Sequence, residues 1–93
     1  MPRVELVYFT GCPNVEAART HIRAALLSVH LPVVWREHDQ SDVTTDDRWR
    51  QWPSPTVLVD GRDVTGATPS SGASCRASGA ADVNSIVAAL RRQ

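Results

Sequence analysis

The chain has no lysine. Ten arginines supply all its fixed positive charge, ten acidic residues balance them, and the formal net charge is zero. Acids and arginines are interspersed rather than blocked, so the basic excess expected of a dedicated nucleic-acid or anionic-membrane binder is missing, and neither partner is expected. Cysteine is scarce. Cys12 and Cys75 are the only two, too few for a disulfide-dense scaffold or a four-cysteine metal site. No apolar run approaches the ~18 residues that a membrane span needs. The chain starts on an alternating pattern, without a basic region and apolar run, so no signal peptide is expected and the thiols are assigned to a reducing cytoplasm. Glycine-rich phosphate loops, distinctive carboxylate pairs and nucleic-acid motifs are also absent, and no cofactor is expected. What remains is 93 residues, 42% hydrophobic and 22% charged, a composition for one globular domain.

Arg3 to Phe9 is rich in β-formers and stops at Thr10-Gly11, which predicts a central strand. From Pro13 to about Val29, Val15, Ala18, Ile22, Leu26 and Val29 recur at spacings of three and four, with Ala25 widening the stripe, as on one face of a helix. Pro13 suits the first turn, where its missing N–H is not needed. Leu31 to His38 predicts a second strand, with Pro32 at its start or on an edge. Thr45 is a candidate cap for a short helix carrying Asp46, Asp47, Arg48 and Arg50, with Trp49 and Trp52 on one side. Pro53-Ser54-Pro55 ends it. Thr56 to Val59 and Arg62 to Thr65 are strands joined by an Asp60-Gly61 hairpin turn. Gly66 to Gly79 is a small-residue loop holding Cys75, with room for a short helical turn at Ser74 to Ala77. Val83, Ile86, Val87 and Leu90 close the chain as a helix, with Asp82 at its cap and Arg91 and Arg92 at its end.

The order β-α-β-(short α)-β-β-α gives one right-handed parallel crossover and one antiparallel hairpin. Two amphipathic helices need sheet faces to bury their stripes. The expectation is a small α/β sandwich with a mixed four-stranded sheet, in a single domain over residues 1–93.

Cys12 lies where the first strand passes into the first helix. A thiol there meets the unpaired amides and the positive dipole end of the helix, and both favour thiolate. Glu16, one turn on, opposes this. Strand-to-helix loops are usually exposed, which argues against Cys12 as a mere buried hydrophobe.

Two segments carry a resemblance. Tyr8-Phe9-Thr10-Gly11-Cys12-Pro13 and Pro53-Ser54-Pro55-Thr56-Val57-Leu58-Val59-Asp60-Gly61, in that order, resemble the thioredoxin/glutaredoxin superfamily around its nucleophilic cysteine and its cis-proline. With Gly72-Ala73-Ser74-Cys75-Arg76, the whole chain is similar to small bacterial thioredoxin-like proteins, some labelled as relatives of alkylmercury lyase. The resemblance implies a thioredoxin-like three-layer sandwich, a cis Ser54–Pro55 bond facing Cys12, and a partner-binding loop at Ser54 and Pro55, alongside Thr10, Gly11 and Pro13. It implies thiol–disulfide exchange with a low-molecular-weight thiol or a protein disulfide.

The chain departs from the dithiol pattern at Val15, three residues after Cys12. A neighbouring resolving thiol is therefore missing. Either an external thiol resolves the adduct or Cys75 does so from its loop, and spacing in sequence does not decide which. If the two cysteines converge, they suit a soft metal such as Hg(II) or Cu(I). A protein-binding module without turnover is the third reading. His21, His30 and His38 lack ligand spacing to Cys12 and read as surface or helix-end residues. Trp35 reads as packing, and Trp49 and Trp52 as anchors for the short helix. Arg36, Arg62 and especially Arg76 are candidates for a substrate carboxylate.

Overall fold

A computed structural model describes residues 2–66 and 79–92. The elements are β1 (Val4–Tyr8), α1 (Val15–Ser28), β2 (Arg36–Asp39), a 3₁₀ helix (Asp47–Gln51), β3 (Thr56–Val59), β4 (Arg62–Asp63) and α2 (Val83–Arg91). The sheet order is β2-β1-β3-β4. β1 runs parallel to β2 and antiparallel to β3, and β3 is antiparallel to β4. Most of the expected loop between Gly66 and Gly79, with Cys75 and Arg76, lies outside the described residues.

Alternation along β1 divides the core. Val4 and Leu6 pack with Val57 and Val59 of β3 against Val15, Ala18, Ile22, Ala25 and Leu26 of α1 and Ile86, Ala89 and Leu90 of α2. Both helices therefore share one face of the sheet; the α1 stripe is the one the sequence spacing predicts, whereas in α2 Ala89 is buried with Ile86 and Leu90, and Val83 and Val87 pack half-buried. Val7 and Leu58 point the other way and bury against Trp52, with Trp49 packed beside them. The two tryptophans thus anchor the short segment to the second face.

Local chemistry sets the joints. Asp60 (φ 51°) and Gly61 (φ 82°) make the hairpin turn, both left-handed as a two-residue turn of this kind requires. Asp82 caps α2 by accepting from the Ser85 N–H at 2.7 Å. α1 ends with Leu31 N–H donating to Leu26 O (3.0 Å) and His30 N–H to Leu27 O (3.2 Å). This is the Schellman arrangement, with His30 at the left-handed position (φ 60°) that glycine usually fills.

Several boundaries differ from expectation. β2 starts at Arg36, not Leu31, because the helix-ending turn and Pro32 occupy the preceding residues and Val34 N–H donates to Pro32 O. Trp35 therefore precedes the strand and packs against the helix-side core. The short element is a 3₁₀ helix, and its cap is Asp46, which accepts from the Arg48 N–H, rather than Thr45. The Thr45 hydroxyl instead donates to Asp39 O at 2.7 Å. No helix among the described residues is long and apolar enough to cross a membrane.

Candidate functional site around Cys12

β1 leads to the site, and a turn folds the chain back. Cys12 N–H donates to Phe9 O at 3.2 Å. Gly11, at φ 89°, takes the third position of this turn, where a side chain would be strained. Val15 N–H then reaches Cys12 O at 3.4 Å, so a second tight turn runs straight into α1. The helix begins three residues after Cys12, with Asn14 at its cap. The thiol thus sits one short turn ahead of the helix rather than within its first turn. Pro13 is exposed between them.

The expectation of an exposed cysteine is corrected. Cys12 is 7% exposed and belongs to the helix-side core. The Phe9–Cys12 turn directs it inward, whereas loop position alone suggested solvent. It nevertheless lines an open depression of about 320 Å³ with Tyr8, Phe9, Thr10, Gly11, Val15 and Arg19. The sulfur-bearing residue is therefore at the boundary between core and surface.

A hydrogen bond joins the second sequence motif to the first. Phe9 N–H donates to Ser54 Oγ at 3.3 Å. The Ser54–Pro55 peptide is cis, as the resemblance implies. Ser54 is fully buried and Pro55 is among the fully buried side chains, and the Ser54 hydroxyl is tied to the residue that opens the Cys12 turn.

Asp39, Gln40 and Ser41, not singled out in the sequence, hold the surrounding loops. Thr10 Oγ1 donates to Asp39 Oδ2 (2.9 Å), Thr10 N–H to Ser41 Oγ (3.0 Å), and Ser41 N–H to Asp39 Oδ1 (2.9 Å). Gln40, buried next to them, donates through Nε2 to Trp49 O (2.6 Å) and Trp52 O (2.8 Å). It thereby ties the 3₁₀ segment, and the Ser54 strand entry after it, to the end of β2. Its Oε1 is buried with no hydrogen-bond partner among the described residues.

Arg19 forms one wall. Its guanidinium donates to both Glu37 oxygens at 3.0 and 2.9 Å, pairs with Glu16, and lies 5.3 Å over the Tyr8 ring. Hydrogen bonding to Glu37 holds the Arg19 pKa above its ordinary value. The same bond, with a second from Trp35, holds the Glu37 carboxyl below the usual glutamate value. Burial raises the Tyr8 phenol pKa, and the charges on Asp39 and Glu37 raise it further.

The other candidates are dispersed. Arg36 is exposed in β2. Arg62 follows the hairpin, whose Asp60 N–H bonds Arg3 O, so it lies at the end of the sheet opposite Cys12. His21 Nδ1 lies 2.7 Å from Ala81 O and links α1 to the entry of α2. His38 stacks on Trp49, with centroids 3.8 Å apart, and its Nε2 is 2.8 Å from Oε2 of buried Glu5. Parallel register places His38 on the Val7 face, away from the helices. Among the described residues no group of three His, Cys, Asp or Glu is arranged to hold a metal ion. Cys75 and Arg76 lie outside the described residues.

The described residues define a small α/β protein with a mixed four-stranded sheet and a cysteine seated at the turn between its first strand and first helix. Comparison with family models, curated proteins and solved structures finds no match for this chain.

Proposed function

We propose that the chain is a monothiol thioredoxin-like protein in which Cys12 exchanges with a disulfide or holds a thiol adduct. The observation that carries the reading is the hydrogen bond from Phe9 N–H to Ser54 Oγ. It joins the Cys12 turn to the proline segment before β3, the two segments on which the resemblance rests, while Cys12 lines an open depression. Strand order and directions support the same reading. In this role Ser54 fixes the turn, and Thr10 and Gly11 form the lip that a partner meets. Val15, 6% exposed in the core, supplies no second thiol. An external thiol or Cys75 therefore resolves the adduct.

The 7% exposure of Cys12 favours a second reading, a thioredoxin-like binding module without turnover. Alkylation of the native chain against pH, with adducts assigned by peptide mapping, separates the two. Cys12 modified without unfolding, with a midpoint below the ordinary thiol value of ~8.5, supports exchange chemistry. Modification of Cys12 only at the rate of global unfolding supports the binding module. Stoichiometric Hg(II) or Cu(I) binding lost in Cys75→Ser would point to a soft-metal carrier instead.

A further inference from the structure

We propose that the depression beside Cys12 selects disulfides bearing positive charge and disfavours those bearing negative charge, an inference that rests on the reading of Cys12 as a reacting thiol. Arg19 is the basic residue in the wall, and its guanidinium is already engaged. Nε and one terminal nitrogen face the two oxygens of Glu37 at 3.0 and 2.9 Å, and the other terminal nitrogen faces Glu16. An anionic ligand would have to displace a carboxylate to reach it. Across the lip, Asp39 holds Thr10 through a 2.9 Å bond. The neighbouring Arg23 is drawn over the Trp35 ring, 5.9 Å from its centroid. Among the described residues, the three carboxylates bonded to Arg19 and Thr10 (Glu16, Glu37, Asp39) outnumber the Arg19 guanidinium by two. The phenol of Tyr8, also in the wall, reports that field. Burial is the first cause of its raised pKa, and Asp39 and Glu37 come next, ahead of the opposing Arg19.

The reaction that would show the selection is simple exchange. The Cys12 thiolate attacks one sulfur of a symmetrical disulfide, a new S–S bond forms, and the old one breaks. The leaving half departs as thiolate and takes up a proton from water. Cys12 is oxidised and the departing sulfur is reduced. The charge of the incoming disulfide alters its local concentration at the depression without altering this chemistry.

The test uses the full chain and three probes: cystamine (cationic), hydroxyethyl disulfide (neutral) and dithiodiglycolate (anionic). Adducts are mapped to Cys12, and each rate is divided by that of free N-acetylcysteine amide, a neutral thiol distinct from all three probes, with the same probe. At low ionic strength the cationic probe is expected to exceed the neutral one roughly five- to tenfold, with the anionic probe slowest. The spread should collapse near 1 M salt, where the screening length is ~3 Å. The double variant Glu16→Gln, Glu37→Gln removes both partners of Arg19 and should abolish or invert the order. Equal normalised rates, or a preference for the anionic probe, overturn the inference while leaving the proposed exchange standing. Failure of Cys12 to react with all three, the neutral one included, overturns the exchange reading and this inference with it.

Discussion

Phe9 and Ser54, far apart in sequence, meet where the backbone N–H of one donates to the buried hydroxyl of the other at 3.3 Å. Ser54 has no solvent exposure, so water cannot readily replace the lost acceptor. Ser54→Ala is expected to cost about 1–2 kcal/mol, read as a lower urea midpoint. Because the bond sits beside the Cys12 turn, native-state alkylation of Cys12 should accelerate in the same variant. A stability loss without faster alkylation would mean that Ser54 does not hold that turn.

Val15 occupies the position a second thiol would need. Its N–H reaches Cys12 O at 3.4 Å, and both side chains line the same depression. Closure of such a turn brings the two Cα atoms within the ~7 Å that a disulfide tolerates. The Val15→Cys variant is therefore expected to form a disulfide between Cys12 and the introduced thiol on mild oxidation, seen as the loss of two hydrogens in the mapped peptide. Persistence of both thiols under conditions that oxidise a free dithiol would contradict this geometry.

Acid should weaken the fold partly through Glu37. Arg19 holds its folded pKa below the ordinary glutamate value, and a depressed carboxyl pKa contributes stability above the unfolded value. That contribution is full above about pH 5 and fades as pH falls through the ordinary ~4.3 and then through the lower folded value. Urea midpoints of wild type and Glu37→Gln, measured from neutral pH to about pH 3, should converge as the pH drops. Parallel curves would remove Glu37 from the acid response.

His30 takes the left-handed position that ends α1. The residue is exposed, and a non-glycine side chain there costs on the order of 1 kcal/mol. His30→Gly should therefore raise stability by somewhat less than that, because glycine also has more unfolded-state entropy to lose. Thermal unfolding checks the sign. A lower midpoint would show that imidazole packing outweighs the backbone relief.

Features with a local cause were legible in the sequence. The α1 stripe follows from helical period, the Asp60-Gly61 turn from its demand for positive φ, and the Asp82 cap from its carboxylate ahead of an apolar run. The Phe9–Cys12 turn was half legible. Gly11 marked it, but the direction of Cys12 depends on how the turn packs on α1. The onset of β2 was misplaced because Leu31 to Trp35 has strand composition, while the end of α1 dictates its course. Asp39, Gln40 and the Glu5–His38 contact were invisible. Their partners come from other elements, and a buried polar bond leaves no periodic trace in the chain.

Among the described residues β2 is an outer strand of the sheet, and its four residues alternate in face: Arg36 and His38 on one side, the acidic Glu37 and Asp39 on the other. A second copy adding itself antiparallel about a two-fold axis must match residues of the same face. Glu37 then meets its own counterpart or Asp39, or Arg36 meets its own counterpart. Like charges directly opposite one another weaken such a pairing. The four-residue sequence that ties this edge to Arg19 within the molecule thus also discourages two copies from joining their sheets through β2.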